Sequence, residues 1–144
     1  MKNLMYSILT LFLIAACNKD LTDQTDITQF TWEVKSLTID NEKINTPSKT
    51  VFGNKITNTD AYVLSFENDN TLYLNLSVND GQSTYVNLGN GLIDINGLGT
   101  TKMCCNNQFD ESIIDVMSTL IEYKVLGKHL FLIGTDGEID LKKR

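Results

Sequence analysis

The sequence predicts an α+β fold that is mostly β: a small curved antiparallel sheet or open barrel with one helix between strands near the C-terminus. Three observations carry this reading. Apolar and polar residues alternate over short runs through most of the chain, the period of half-buried strands. Clusters of Asn, Asp and Gly separate the runs and tolerate the positive φ angles of tight turns. One stretch alone, residues 109–121, repeats its apolar positions at spacings of three and four.

The first strand is expected at Phe30-Thr31-Trp32-Glu33-Val34-Lys35-Ser36-Leu37, with Trp32, Val34 and Leu37 inward, opposite Glu33 and Lys35. Residues 41–60 contain the only proline, Pro47, and read as a long loop with one short strand at 50–52. A hairpin follows: Tyr62, Leu64 and Phe66, a turn at Asn68-Asp69-Asn70, then Leu72, Leu74, Leu76 and Val78 alternating with Tyr73, Asn75 and Ser77. Asn79-Asp80-Gly81 precedes a strand over 84–88, and Gly89-Asn90-Gly91 leads into one over 92–95. The helix then carries Phe109, Ile113, Val116 or Met117, Leu120 and Ile121 on one face. Asn107 can cap it, and Asp110 and Glu111 place negative charge in its first turn. Residues 123–126, 129–133 and 138–141 read as closing strands. Strands, one helix, then strands again let a single helix cover one end or face of the sheet.

The 144 residues suffice for one domain, and 42% hydrophobic with 21% charged content excludes global disorder. The exception is residues 1–16, where Lys2 precedes the apolar run of Ile8, Leu9, Leu11, Phe12, Leu13 and Ile14 and then small residues, the layout of a secretory signal. The run is shorter than the roughly 20 residues needed to span a bilayer. Ile14-Ala15-Ala16-Cys17 resembles the lipobox of bacterial lipoproteins. That resemblance implies cleavage before Cys17 and lipidation of its thiol, which anchors the protein to the membrane without help from basic residues. Residues 17–29 then form the lipidated N-terminus and a polar tether, and residues 30–144 the folded domain. Asn18-Lys19-Asp20 partly resembles the lysine-plus-acid signal that sends some lipoproteins to the cell surface, while Leu21 interrupts its acidic run. An outer-membrane location in the cell envelope, on either face, is the expectation.

Removing residues 1–16 takes away Lys2 and no acid, so the net charge goes from −6 to −7. An acidic protein of this kind is not expected to bind nucleic acid or to dock electrostatically on anionic lipid. Cys104 and Cys105 are adjacent, with Cα atoms about 3.8 Å apart, below the roughly 4.4 Å at which ordinary disulfides begin. Two reduced thiols are the expected state. His129, the only histidine, has no cysteine or acid cluster beside it in sequence and reads as a surface or satisfied residue, where zinc would need three or four ligands. Asp136, Glu138 and Asp140 alternate as on a solvated strand face and lack the loop spacing of a calcium site. No serine lies in a Gly-x-Ser-x-Gly turn, and Gly89-Asn90-Gly91 and Gly97-Leu98-Gly99 lack the lysine of a phosphate loop. Catalytic, metal and cofactor residues are therefore assigned to none. Trp32, Tyr62, Tyr73 and Tyr85 are expected to pack in the core or across strands rather than line a pocket.

Thr100-Thr101-Lys102-Met103-Cys104-Cys105 before the helix, with Tyr123-Lys124-Val125, Leu130-Phe131-Leu132 and Gly137-Glu138-Ile139 after it, resembles the META domain (HslJ-like) family. Trp32, Tyr62-Val63-Leu64-Ser65-Phe66, Val78-Asn79 and Tyr85 extend the resemblance over about residues 30–142. It implies a small barrel-like β domain with one helix, often on exported lipoproteins, linked to stress tolerance and antibiotic response and without established enzymatic activity. The family often pairs a cysteine after that asparagine with one after the Thr-x-Met segment. Here the first position is Asp80 or Gly81, so that disulfide cannot be carried over. A fold-level likeness to a pilot-type lipoprotein with a cracked barrel adds lipid or peptide binding. The expected function is thus a lipid-anchored, non-catalytic envelope protein that binds a partner or small apolar ligand in stress response. The alternative is an assembly or accessory subunit of an envelope complex. An apolar ligand calls for a continuous apolar cavity inside the sheet; an assembly factor calls for a closed core and an exposed apolar patch. On non-reducing gels the mature protein should run as a single monomer band; a dimer band abolished by reductant would show that Cys104 or Cys105 links two chains.

Overall fold

The computed structural model describes residues 26–47, 61–102 and 106–144. The signal segment, Cys17, the short strand expected at 50–52 and the Cys104-Cys105 pair lie outside the described residues. The elements are β1 (Thr31–Ile39), β2 (Glu42–Asn45), β3 (Val63–Phe66), β4 (Thr71–Asn75), β5 (Asp80–Gly89), β6 (Leu92–Ile95), β7 (Gly99–Thr100), α1 (Gln108–Ser118), β8 (Leu120–Leu126), β9 (His129–Gly134) and β10 (Gly137–Lys143).

Eight antiparallel strands pair in the order β1-β3-β4-β5-β6-β8-β9-β10, and β10 returns to β1, so the predicted mostly-β sheet is closed into a barrel. β2 and β7 add short pairings to the outer parts of β1 and β5. The closing seam runs from Trp32 opposite Lys143 to Thr38 opposite Glu138. It slips between Val34 and Ser36, and the extra residue resets the alternation so that Trp32 and Val34 before it and Leu37 after it are all buried. Gly137 opens β10 at φ 154°, where a β-carbon would come within 2.5 Å of the Thr38 carbonyl oxygen, so only glycine lets the two backbones meet.

An eight-stranded barrel is just wide enough for its own side chains to fill. Leu37, Leu64, Leu74, Leu132 and Leu141 do so, each at most 1% exposed. Trp32 joins them, its indole N–H donating to the Ile27 carbonyl at 3.0 Å. Ile27 belongs to a short 3-10 helix, Ile27–Gln29, and is itself buried, so the fold begins inside the stretch expected as tether. The core captures one isolated isoleucine within a polar run.

α1 covers one end of the barrel with Phe109, Ile113, Val116 and Met117. Its start is fixed by more than a cap. Asn107 accepts the Asp110 backbone N–H at 2.9 Å, and the Asp110 carboxylate, fully buried, receives the Ser77 hydroxyl, the Ser77 N–H at 3.4 Å and the Asn107 N–H at 3.4 Å. The Asn107 amide also donates to the Tyr62 hydroxyl at 3.1 Å, and Asn79 donates to Asn106 at 2.7 Å. The helix N-terminus is thereby bonded to the β4-β5 connection.

β5 starts at Asp80, earlier than the strand expected over 84–88, and pairs there with β7, which the sequence reading did not contain; three further boundaries differ, each for a local reason. β2 falls within the expected long loop: its side chains are all exposed, and it is held by backbone pairing with β1 across Asp40-Asn41, both at positive φ. Leu120 and Ile121 leave the helix, because Leu120 fills the core as the first residue of β8 and Ile121 sits at an irregularity, 53% exposed. β4 ends at Asn75 rather than near Val78, since Ser77 and Asn79 turn inward to bond the helix start. Replacing Asp110 with alanine would leave the buried donors of Ser77 and Asn107 without their acceptor. Urea unfolding should register a loss of about 2–4 kcal/mol; an unchanged midpoint would show that the network contributes nothing to the fold.

Candidate functional site

The two ends of the barrel differ. At the helix end the interior is sealed by α1. At the other end, hereafter the mouth, the starts of β1, β4, β6 and β9 and the ends of β3, β5, β8 and β10 come together, joined by the β3-β4, β5-β6 and β8-β9 turns. A cleft of about 420 Å³ opens there. Its walls are the segment 26–28, the β3-β4 turn with Asn68 and Asn70, the β5-β6 turn with Asn87 and Asn90, and Tyr123 and Lys124 of β8.

The cleft follows from how β6 meets β8. Their pairing is confined to Leu92 opposite Glu122, together with the Tyr123 N–H donating to the Gly91 carbonyl at 2.7 Å. Gly91 lies at φ 81°, and a β-carbon there would approach the Tyr123 carbonyl oxygen to 2.8 Å. Contact between the two strands is thus concentrated at the turn. Across the gap the Asn87 amide donates to the Tyr123 hydroxyl at 3.2 Å. The Thr28 hydroxyl donates to Asp26 at 2.7 Å and lies 2.9 Å from Asn68, which ties the first described residues to the β3-β4 turn. Tyr85 forms part of the floor, buried, its hydroxyl donating to the Glu67 carbonyl at 2.9 Å.

Two groups at the cleft have shifted acidity. The Asp26 carboxyl is held below its ordinary range by the Thr28 hydroxyl and then by the Thr28 N–H. The Tyr85 phenol is pushed up by burial first, and then by the carboxylates of Asp26, Asp69 and Glu67. A carboxylate, several amides, hydroxyls and one ammonium can orient a polar ligand or a peptide segment by hydrogen bonds. The sequence reading did not mark Asn68, Asn70, Asn87 or Thr28 as site residues: Asn68 and Asn70 read as a turn, Asn87 as part of a strand and Thr28 as tether, and only the strand register gathers them at one end.

Of the residues weighed in the sequence, Tyr85, expected away from a pocket, and the Gly89-Asn90-Gly91 turn line the cleft, and the others fall elsewhere. His129 is hydrogen-bonded to Asp140, its Nδ1 2.7 Å from Oδ1, because β9 and β10 pair with Lys142 opposite His129 and bring the acid diagonally beside it. It is a satisfied residue, with an acidic neighbour that sequence distance concealed. The buried Ser77–Asp110 pair lies at the opposite end of the barrel from this histidine. Trp32, Tyr62 and Tyr85 are in the core, and Tyr62 stacks edge-on against Phe109 with ring centroids 5.2 Å apart. Tyr73 points outward, 43% exposed. Among the described residues no group of three His, Cys, Asp or Glu side chains is placed to hold a metal ion, and no helix is long and apolar enough to cross a membrane.

Both buried phenols connect the fold to pH. Burial raises Tyr62 as it does Tyr85, with the Asp110 charge adding to the effect. A phenol whose folded value lies above its ordinary 10.0 contributes stability that is fully present below pH 10 and is lost as pH rises through the folded value. Stability measured by urea titration should therefore fall as pH climbs above 10, and the fall should be shallower in Tyr62→Phe; identical slopes in the two proteins would remove this phenol from the account.

Residues 25–143 match the family model of the META domain. No curated protein matches the chain. Among solved structures, a protein from Burkholderia xenovorans superposes with a TM-score of 0.61 at 14% identity, covering 85% of this chain and 86% of that one. A DUF4847 family protein from Bacteroides vulgatus gives 0.57 at 16% identity, over 83% of this chain and 96% of its own. At such identities the likeness is one of fold.

Proposed function

The chain belongs to the META domain family, and from that premise we propose that it is a non-catalytic envelope protein, lipid-anchored through Cys17 in the outer membrane, that binds a partner at the barrel mouth in stress response. One observation carries the choice of a surface partner: the interior is filled by the protein's own leucines and capped by α1, while the cleft at the mouth is polar and open. A small apolar ligand needs an apolar cavity, so the packing favours the accessory reading, in which the domain presents a surface to an envelope component. The polar walls suit a partner that offers hydrogen-bonding groups, such as an extended peptide segment or a polar headgroup, more than one offering hydrocarbon.

Anchoring and binding are separable in one experiment. In growing cells the wild-type chain should incorporate labelled palmitate and fractionate with the outer membrane, and Cys17→Ser should do neither. A photo-crosslinking side chain at Asn87 in the anchored protein should capture one discrete envelope partner, whereas the same group at Lys43, at the helix end, should capture none. Equal capture from both positions would remove the mouth as the binding surface. Palmitate incorporation by Cys17→Ser would remove the anchor.

A further inference from the structure

Charge and apolar surface are distributed unevenly around this barrel. The described residues carry eight lysines and arginines. Five of these, Lys124, Lys128, Lys142, Lys143 and Arg144, lie at the mouth on the ends of β8, β9 and β10. The backbone holds them together: the Lys143 N–H donates to the Lys128 carbonyl at 2.8 Å, and the Arg144 N–H to the Thr31 carbonyl at 3.0 Å. Lys143 places its ammonium over the Phe30 ring, 3.1 Å from the centroid, and Lys124 lies 3.2 Å from Glu122. Of the acids of this end, Asp26, Glu67 and Asp69 gather at the β3-β4 turn and beside it, Glu33 faces Lys142 across β1 and β10, and Asp140 lies against His129 within the basic side, where the cations outnumber it. The basic sector is therefore one side of the mouth, within a protein whose net charge is negative.

The hairpin tips of this sector and of the neighbouring β5-β6 turn carry exposed apolar side chains. Leu88 and Leu126 are the most exposed large hydrophobic side chains among the described residues, at 62% and 59%, and Leu92 follows β6's turn at 49%. Leu88 and Leu92 flank the β5-β6 turn, and Leu126 precedes the β8-β9 turn. Leucines at hairpin tips beside lysines match the layered chemistry of a bilayer surface, where leucine enters the acyl boundary and ammonium meets phosphate.

The position of Cys17 points to the occupant. Nine peptide units separate Cys17 from Asp26, a span of at most about 30 Å, and Asp26 is at the mouth. A lipid on Cys17 thus brings this end to the membrane first and makes the second contact intramolecular, where weak contacts suffice because the effective concentration is in the millimolar range. We infer that the basic side of the mouth docks on the anionic bilayer to which the chain is anchored, with Leu88, Leu92 and Leu126 entering the headgroup region and the cleft opening beside the lipid surface. This rests on the anchoring reading above. The expectation from net charge alone, that anionic lipid would be avoided, does not apply to a surface where the cations are gathered on one side.

The test uses the full lipidated chain in vesicles of phosphatidylethanolamine and phosphatidylglycerol with brominated acyl chains, which quench tryptophan on contact. Trp32 is buried and supplies a constant background. A reporter introduced as Leu126→Trp should be quenched, and one introduced as Ile44→Trp, exposed at the helix end, should not. Neutralising Lys128 and Lys143 as Lys128→Gln and Lys143→Gln should lower the docked-to-undocked ratio by about fivefold for each charge. Flotation of the chain with the vesicles while neither reporter, or both equally, is quenched would overturn docking and leave anchoring intact. Shielding at position 126 from aqueous quencher without lipid quenching would assign the patch to a second copy of the chain instead. Failure of the wild-type chain to float would overturn the anchor and the docking with it.

Discussion

The pairing of β1 with β10 is the contact on which the rest of the structure depends. It joins the first and last strands of the domain, so the sheet has no free edge along the ring and the interior has one fixed diameter. That diameter is filled by leucines and one tryptophan. The seam also sets direction, because antiparallel pairing of the two terminal strands leaves the entry of the chain and its last residue at the same end. Everything said of the mouth follows from this: the proximity of Asp26 to the cleft, the cations of the C-terminal strand beside it, and the confinement of the helix to the far end.

The seam is itself demanding. An extra residue in β1 and a glycine at the start of β10 are both needed for it to close without turning Leu37 outward or pushing the Thr38 carbonyl away. The helix end is held by different means. There a buried carboxylate, a cap and two inward-turned polar residues fix α1 over the opening, through hydrogen bonds that tie the helix start to the β4-β5 connection. One end of the barrel is thus committed to stability, while the other keeps amides, hydroxyls and charges within reach of solvent. The histidine is bonded to Asp140 on the outer surface, and the buried serine–aspartate pair is bonded at the helix start.

Much of this was legible in the chain. Period-two leucines and the Asn-Asp-Asn and Gly-Asn-Gly turns located the central strands because alternation is forced wherever one face of a strand is buried. Asn107 three residues before Asp110 located the helix start for the same local reason. Where the reading slipped, the deciding contact was distant. Leu120 and Ile121 continue a helical spacing that the core interrupts, β2 has no apolar face to betray it, and Ile27 is one apolar residue in a polar stretch.

The sequence by itself determined the strand and turn alphabet, the single helix with its cap, the resemblance to a known family and the signal-like segment ending in Cys17, because each is written in adjacent residues or in a short period. Only the tertiary structure decided that the sheet closes, that Asp110, in the first turn of the helix as expected, is also a buried acceptor for Ser77, and that His129 has an acid beside it. It alone gathered asparagines from separate segments into one cleft and lysines from β8, β10 and the β8-β9 turn onto one side of the mouth. These depend on register, and register is a relation between strands that can lie more than a hundred residues apart, as β1 and β10 do, and no local pattern contains it.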